Sequence, residues 1–126
     1  MKILLTSLIV KNPIEAFHFY TEVLGFHKKL FIPEANLAIV VSPEEPDGTS
    51  LLLEPNENPL SKTFQEGVYK ANLPMIVFGV KDIHKEYERL KSLGVVFRKE
   101  PTKSDIGTET VFEDTCGNLI QIFQMD

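Results

Sequence analysis

Apolar residues along this chain switch between two spacings, and they do so twice. Residues 2–10 are apolar and rich in β-branched side chains, as a buried strand is. Asn12-Pro13-Ile14-Glu15 then carries a helix start. Asn is the cap, Pro takes the first helical position where its missing N–H is not needed, and Glu sits near the positive end. Ile14, Phe17, Tyr20 or Thr21, and Leu24 recur at helical spacing, and Gly25 stops the run. Strands are predicted at 26–32 and 37–42 around a turn at 33–36, followed by a surface loop at 43–48 and a short apolar strand at 50–54. The first module reads β-α-β-β-β.

The second half repeats this order. Val10-Lys11-Asn12-Pro13 leads to Val23-Leu24-Gly25-Phe26, and Val80-Lys81-Asp82-Ile83 leads to Ser92-Leu93-Gly94-Val95. After a linker at 55–59, residues 62–71 predict a short helix with Phe64, Val68 and Tyr69 on its apolar side. Strands follow at 75–80, 95–99, 108–113 and 119–124, with a loop at 101–107 and a tight turn at 114–118. Asp82 caps a helix reaching Leu93, whose buried stripe is Ile83, Tyr87, Leu90 and Leu93. The expected class is α+β: two βαβββ modules forming paired, curved mixed sheets around a cleft, with helices on the outer faces. All of 1–126 is expected to be one domain, with module one at about 1–55, the linker and short helix at about 56–73, and module two at about 74–126.

Composition narrows the partners. The net charge of −5 is spread along the chain, without the basic stripe that nucleic acid requires. Lys28-Lys29 and the Lys81, Lys85, Arg89, Lys91 group lie among glutamates and read as solvated faces. The single Cys116 cannot form an intrachain disulfide and suits a reducing compartment. The opening apolar run is too short to span a bilayer. The expectation is a cytoplasmic protein that engages neither membrane nor nucleic acid.

Two phrases carry a family likeness. Phe17-His18-Phe19-Tyr20-Thr21-Glu22-Val23-Leu24-Gly25-Phe26 and Phe112-Glu113-Asp114-Thr115-Cys116-Gly117-Asn118-Leu119-Ile120-Gln121 resemble the signature phrases of the vicinal oxygen chelate superfamily. That superfamily includes glyoxalases, fosfomycin- and bleomycin-resistance proteins and extradiol dioxygenases. The likeness spans nearly the whole chain. Thr115 departs from it, standing where the family usually has proline, which is expected to cost only some turn rigidity.

The resemblance implies a divalent ion held by His and Glu from the first and last strands of each module. Placed by the local phrases, those positions fall on Leu5, Met75 and Gln121, and on Leu52, or on Glu54 if the register differs. Leu and Met offer such an ion no useful donor, and Gln offers one weak carbonyl. No metal and no cofactor are therefore expected. His18, His27 and His84 fall on three separate elements and read as surface residues. Cys116, beside Asp114, lacks the positive surroundings that activate a thiol. Gly48 and Gly107 read as isolated loop glycines, and no catalytic residue is assigned.

What remains is a lining. Leu5, Ser7, Leu52, Glu54, Met75, Val77, Gln121 and Phe123 are the candidate ligand-binding residues, with Phe31 and Phe112 near them. Glu54 and Gln121 interrupt apolar strands, so each needs a hydrogen-bond partner nearby or a ligand to orient. The favoured function is metal-free binding and sequestering of a small molecule of unspecified identity by a homodimer. The alternatives are a metal-dependent glyoxalase-type lyase or extradiol-type dioxygenase, and a non-catalytic interaction module whose pocket is filled by its own side chains.

Overall fold

A computed structural model describes all residues 1–126. The chain divides into two compact units, Met1–Gln65 and Glu66–Asp126. The first contains β1 (Leu5–Val10), α1 (Pro13–His18), β2 (His27–Ile32), β3 (Leu37–Val41) and β4 (Ser50–Pro55). Helix α2 (Pro59–Lys70) carries the chain from one unit into the other. The second contains β5 (Pro74–Gly79), α3 (Ile83–Ser92), β6 (Thr102–Lys103), β7 (Gly107–Glu113) and β8 (Leu119–Met125). Each unit is a βαβββ module with one four-stranded mixed sheet, ordered β1-β4-β3-β2 and β5-β8-β7-β6. The fold is α+β, and the sequence repeat is a topological repeat. In both sheets the first strand runs parallel to the last, and the middle strands run antiparallel. No helix is long and apolar enough to cross a membrane.

The helix signals act as expected. The Asn12 side chain accepts from the N–H groups of Ile14 and Glu15, and the Asp82 side chain accepts from that of Lys85. Gly25 and Gly94 follow their helices at φ 92° and 88°, where a side chain would be strained. Helix α1 does not run regularly to Leu24: Phe19–Val23 forms a π-helical turn. The Thr21 hydroxyl donates to the Phe17 carbonyl at 2.7 Å, competing with the main-chain ladder there.

In each unit one sheet face packs beneath its helix. Leu8, Val10, Ala38, Val40, Leu51 and Leu53 form the core under α1. Phe31 joins them by stacking on Phe17, with ring centres 3.9 Å apart. Ile120, Ile122 and Phe112 form the core under α3, where Phe97 bridges Phe112 to Tyr87. Phe31 and Phe112 therefore belong to the cores and not to a ligand lining. Strand alternation puts them on the opposite face from Leu52 and Gln121.

Several expected boundaries are corrected. The first strand starts at Leu5 rather than residue 2, because its only partner, β4, begins at Ser50. Residues 95–99 are not a strand: they make one isolated bridge, Phe97 to Phe112. The Thr110 hydroxyl takes the Lys99 carbonyl at 2.6 Å, and Pro101 has no N–H to give. The edge strand β6 forms later, inside the expected loop, and Gly107 is a strand residue rather than a loop glycine. Leu93 lies beyond the last turn of α3 and is 54% exposed instead of buried. Helix α2 starts at Pro59, where the Asn58 side chain accepts from the Leu60 N–H at 2.8 Å. Its buried residue is Gln65, while Phe64 is exposed. Gln65 donates to the Ile9 carbonyl (3.0 Å) and accepts from the Asn56 side chain (2.9 Å), which ties the helix to β1.

Candidate functional site

The face of each sheet turned away from α1 or α3, here the far face, carries the sequence-predicted lining. In the first unit, alternation and register place Leu5, Ser7 and Ile9 of β1 beside Ser50, Leu52 and Glu54 of β4. Ser7 pairs with Leu52 and Ile9 with Glu54, and Ile39 of β3 pairs with Leu52 on its other side. Leu5 is 37% exposed, and Ser7 and Glu54 are exposed as well. In the second unit, Val77 pairs with Gln121, and Gln121 pairs in turn with Val111 of β7. Phe123 lies two positions along β8 on the same face, opposite Glu109. Met75 sits in the irregularity at the start of β5, between Pro74 opposite Leu119 and Ile76 opposite Ile120. Leu5, Ser7, Leu52 and Glu54 are thus brought together in one unit, and Met75, Val77, Gln121 and Phe123 in the other.

The polar members of the set are free. The side chains of Ser7, Glu54 and Gln121 make no hydrogen bond in the protein. The hydrogen bond that would have satisfied Glu54 or Gln121 within the chain is not made.

Phe123 is held by backbone shape. A side chain at Gly107 would come within 2.2 Å of the Gln124 carbonyl oxygen and 2.6 Å of the Phe123 ring. Only glycine leaves that ring its place on the sheet.

A polar group escaped the sequence reading. Glu109 and Glu113 alternate with Val111 onto the far face of the second sheet. Lys99 reaches Glu109 at 2.6 Å. The Tyr69 hydroxyl donates to Glu113, and Arg98 donates to Tyr69 (3.1 Å), to Glu113 (3.4 Å) and to Asn72 (3.2 Å). The hydrogen bond to the Glu113 carboxylate, helped by partial burial and that negative charge, holds the Tyr69 phenol above its ordinary 10.0, against the opposing pull of Arg98. The only sequence signal for this group was the alternation of Glu109, Val111 and Glu113. Arg98 arrives from a segment expected as a strand, and Tyr69 from the side of α2 that was expected to be apolar.

The remaining chemistry-bearing residues lie elsewhere. His18, His27 and His84 are all exposed. Cys116 is buried and in no disulfide. It lies in a turn built on buried Asp114, which accepts from the N–H groups of Cys116 (2.7 Å) and Asn118 (3.0 Å) and from the Asn118 side chain (2.9 Å). Thr115 occupies the left-handed region at φ 63°, which proline cannot adopt. The turn therefore differs from the proline form in backbone conformation, a larger change than lost rigidity. No group of three or more His, Cys, Asp or Glu side chains is arranged to hold a metal ion.

The fold and sequence together define the class. The chain belongs to the Glyoxalase/Bleomycin resistance protein/Dioxygenase superfamily, whose family model matches residues 2–122. It is 52% identical to YurT of Bacillus subtilis (strain 168) over 98% of this chain and 99% of that protein. Among solved structures it is similar to UcmS2, at 29% identity and a TM-score of 0.81, over 98% of this chain and 97% of the other. It also shares its fold with TnmS3, an antibiotic binding protein from Streptomyces sp. CB03234, at 24% identity and a TM-score of 0.77, over 100% of this chain and 97% of that one.

Proposed function

We propose that this protein binds and sequesters a largely apolar small molecule on the far faces of its sheets, without a metal. The observation that carries this reading is the composition of those faces. Leu5, Leu52 and Ile39 in one unit, and Val77 and Phe123 in the other, keep part of their apolar surface accessible on rigid strands. Covering such surface is worth roughly 25 cal/mol per Å². The unpartnered side chains of Ser7, Glu54 and Gln121 supply the few polar contacts that orient a ligand in an apolar surrounding. An antibiotic binding protein is built on the same fold, which supports this use of it.

The family's divalent ion does not fit these residues. The resemblance places its holders at Leu5, Met75, Gln121 and Leu52, or at Glu54 in the other register, and the carboxylates near Gln121, Glu109 and Glu113, are already matched by Lys99 and Arg98. A catalytic site with an open position needs about three good donors, and one carboxylate with one amide falls short. No step is therefore routed through a metal.

The test is a thermal-shift screen of hydrophobic antibiotics and aromatic compounds against chelator-treated protein. At least one compound is expected to raise the midpoint equally with and without chelator, and to be recovered unchanged. Val77→Glu is expected to abolish the shift. Stabilisation that appears only after adding a divalent ion, or conversion of the compound, would contradict the reading.

A further inference from the structure

The far face of the second sheet is polar at one end, and its charges are already matched. Lys99 meets Glu109, and Arg98 meets Glu113, so neither carboxylate is left to attract a cation and neither cation to attract an anion. Donors nevertheless remain. A guanidinium has five N–H groups, more than the contacts of Arg98 with Tyr69, Glu113 and Asn72 use. The Gln121 side chain adds an amide with no partner. Glu113 and Gln121 are diagonal neighbours across β7 and β8, a spacing of roughly 7–8 Å that a single bound molecule can bridge. Val77 and Phe123 flank Gln121 on the apolar side.

We propose that Arg98 and Gln121 read a neutral hydrogen-bond acceptor, a ketone or amide carbonyl, on an apolar ligand whose ring lies against Val77 and Phe123. This rests on the binding role proposed above. An anionic ligand is disfavoured because its charge would lie close to Glu113 and Glu109, while Arg98 is already neutralised. A plain hydrocarbon is disfavoured because it would cover the Gln121 amide and the spare Arg98 N–H groups without giving them an acceptor.

The experiment is calorimetric titration of the full chain with three matched probes: methyl naphthyl ketone, ethylnaphthalene and naphthoate. The ketone is expected to bind about tenfold more tightly than ethylnaphthalene, the worth of one hydrogen bond to a charged donor, and more tightly than naphthoate. Arg98→Met is expected to bring the ketone and hydrocarbon to similar affinity. Naphthoate binding tightest, or ketone and hydrocarbon binding equally, would overturn the inference while leaving the binding role intact. So would a ketone preference that survives in Arg98→Met. Binding by none of the three would also overturn the inference, while the thermal-shift screen decides the binding role separately. If Arg98→Met does not fold, the order of the three probes on the unaltered protein still decides the matter.

Discussion

Thr115 is a β-branched residue held at φ 63°, a conformation that costs such residues about 1–2 kcal/mol. Thr115→Gly should therefore raise the unfolding free energy by up to about 1 kcal/mol in urea denaturation, and Thr115→Pro should lower it. The Asp114 carboxylate beneath it satisfies three N–H donors, so Asp114→Ala should cost roughly 3 kcal/mol in the same measurement. Gly107→Ala drives a methyl group into the Phe123 ring and the Gln124 carbonyl, and should cost roughly 2 kcal/mol and displace the Phe123 ring signals in NMR spectra. Tyr69 links stability to pH. Its folded value is raised, so its contribution is complete below the unfolded value of 10.0 and disappears as pH rises through the folded one. The thermal midpoint of the unaltered protein should converge on that of Tyr69→Phe as pH increases above 10.0. A constant gap across that range would contradict this.

Helices and central strands were largely legible because their signals are local. Asn12 and Asp82 cap the helices they were expected to cap, and alternation put Gln121 with Phe123 and Glu54 with Leu52. Two of the failures share a cause: a side chain replacing a main-chain partner. Thr110 takes the carbonyl that residues 95–99 would have offered to a ladder, and the Thr21 hydroxyl perturbs the end of α1. Gln65 was missed because an apolar helix side was sought in Phe64, Val68 and Tyr69. The residue α2 buries is polar and serves the Ile9 carbonyl on a distant strand. Gln65→Ala leaves that carbonyl and the Asn56 amide without their partner, and should cost about 2 kcal/mol by chemical denaturation.

For the molecule as a whole, the repeat specifies two sheets with one strand order and two far faces whose polar residues are unlike. In the first unit Glu54 stands exposed and unpartnered, while in the second Glu109 and Glu113 are matched by Lys99 and Arg98. The family was legible in two short phrases, but the ligand was not. The proposed recognition by Arg98 and Gln121 depends on Arg98 meeting Tyr69 and Glu113, and no spacing in the chain encodes that. We propose a second copy of the chain as the protein partner, since both sheets end in open edge strands. Light scattering is expected to give twice 14.3 kDa, and a monomer mass would refute this. The most direct test of metal-free binding on the far faces is a methyl-NMR titration of chelator-treated protein with a compound that raises its thermal midpoint. Shifts are expected at far-face methyl groups, Leu5, Leu52 and Ile39 in the first unit or Val77 in the second, with Leu53 and Ile122 beneath the helices unmoved. Shifts confined to the helix-side cores, or absent until a divalent ion is added, would contradict it.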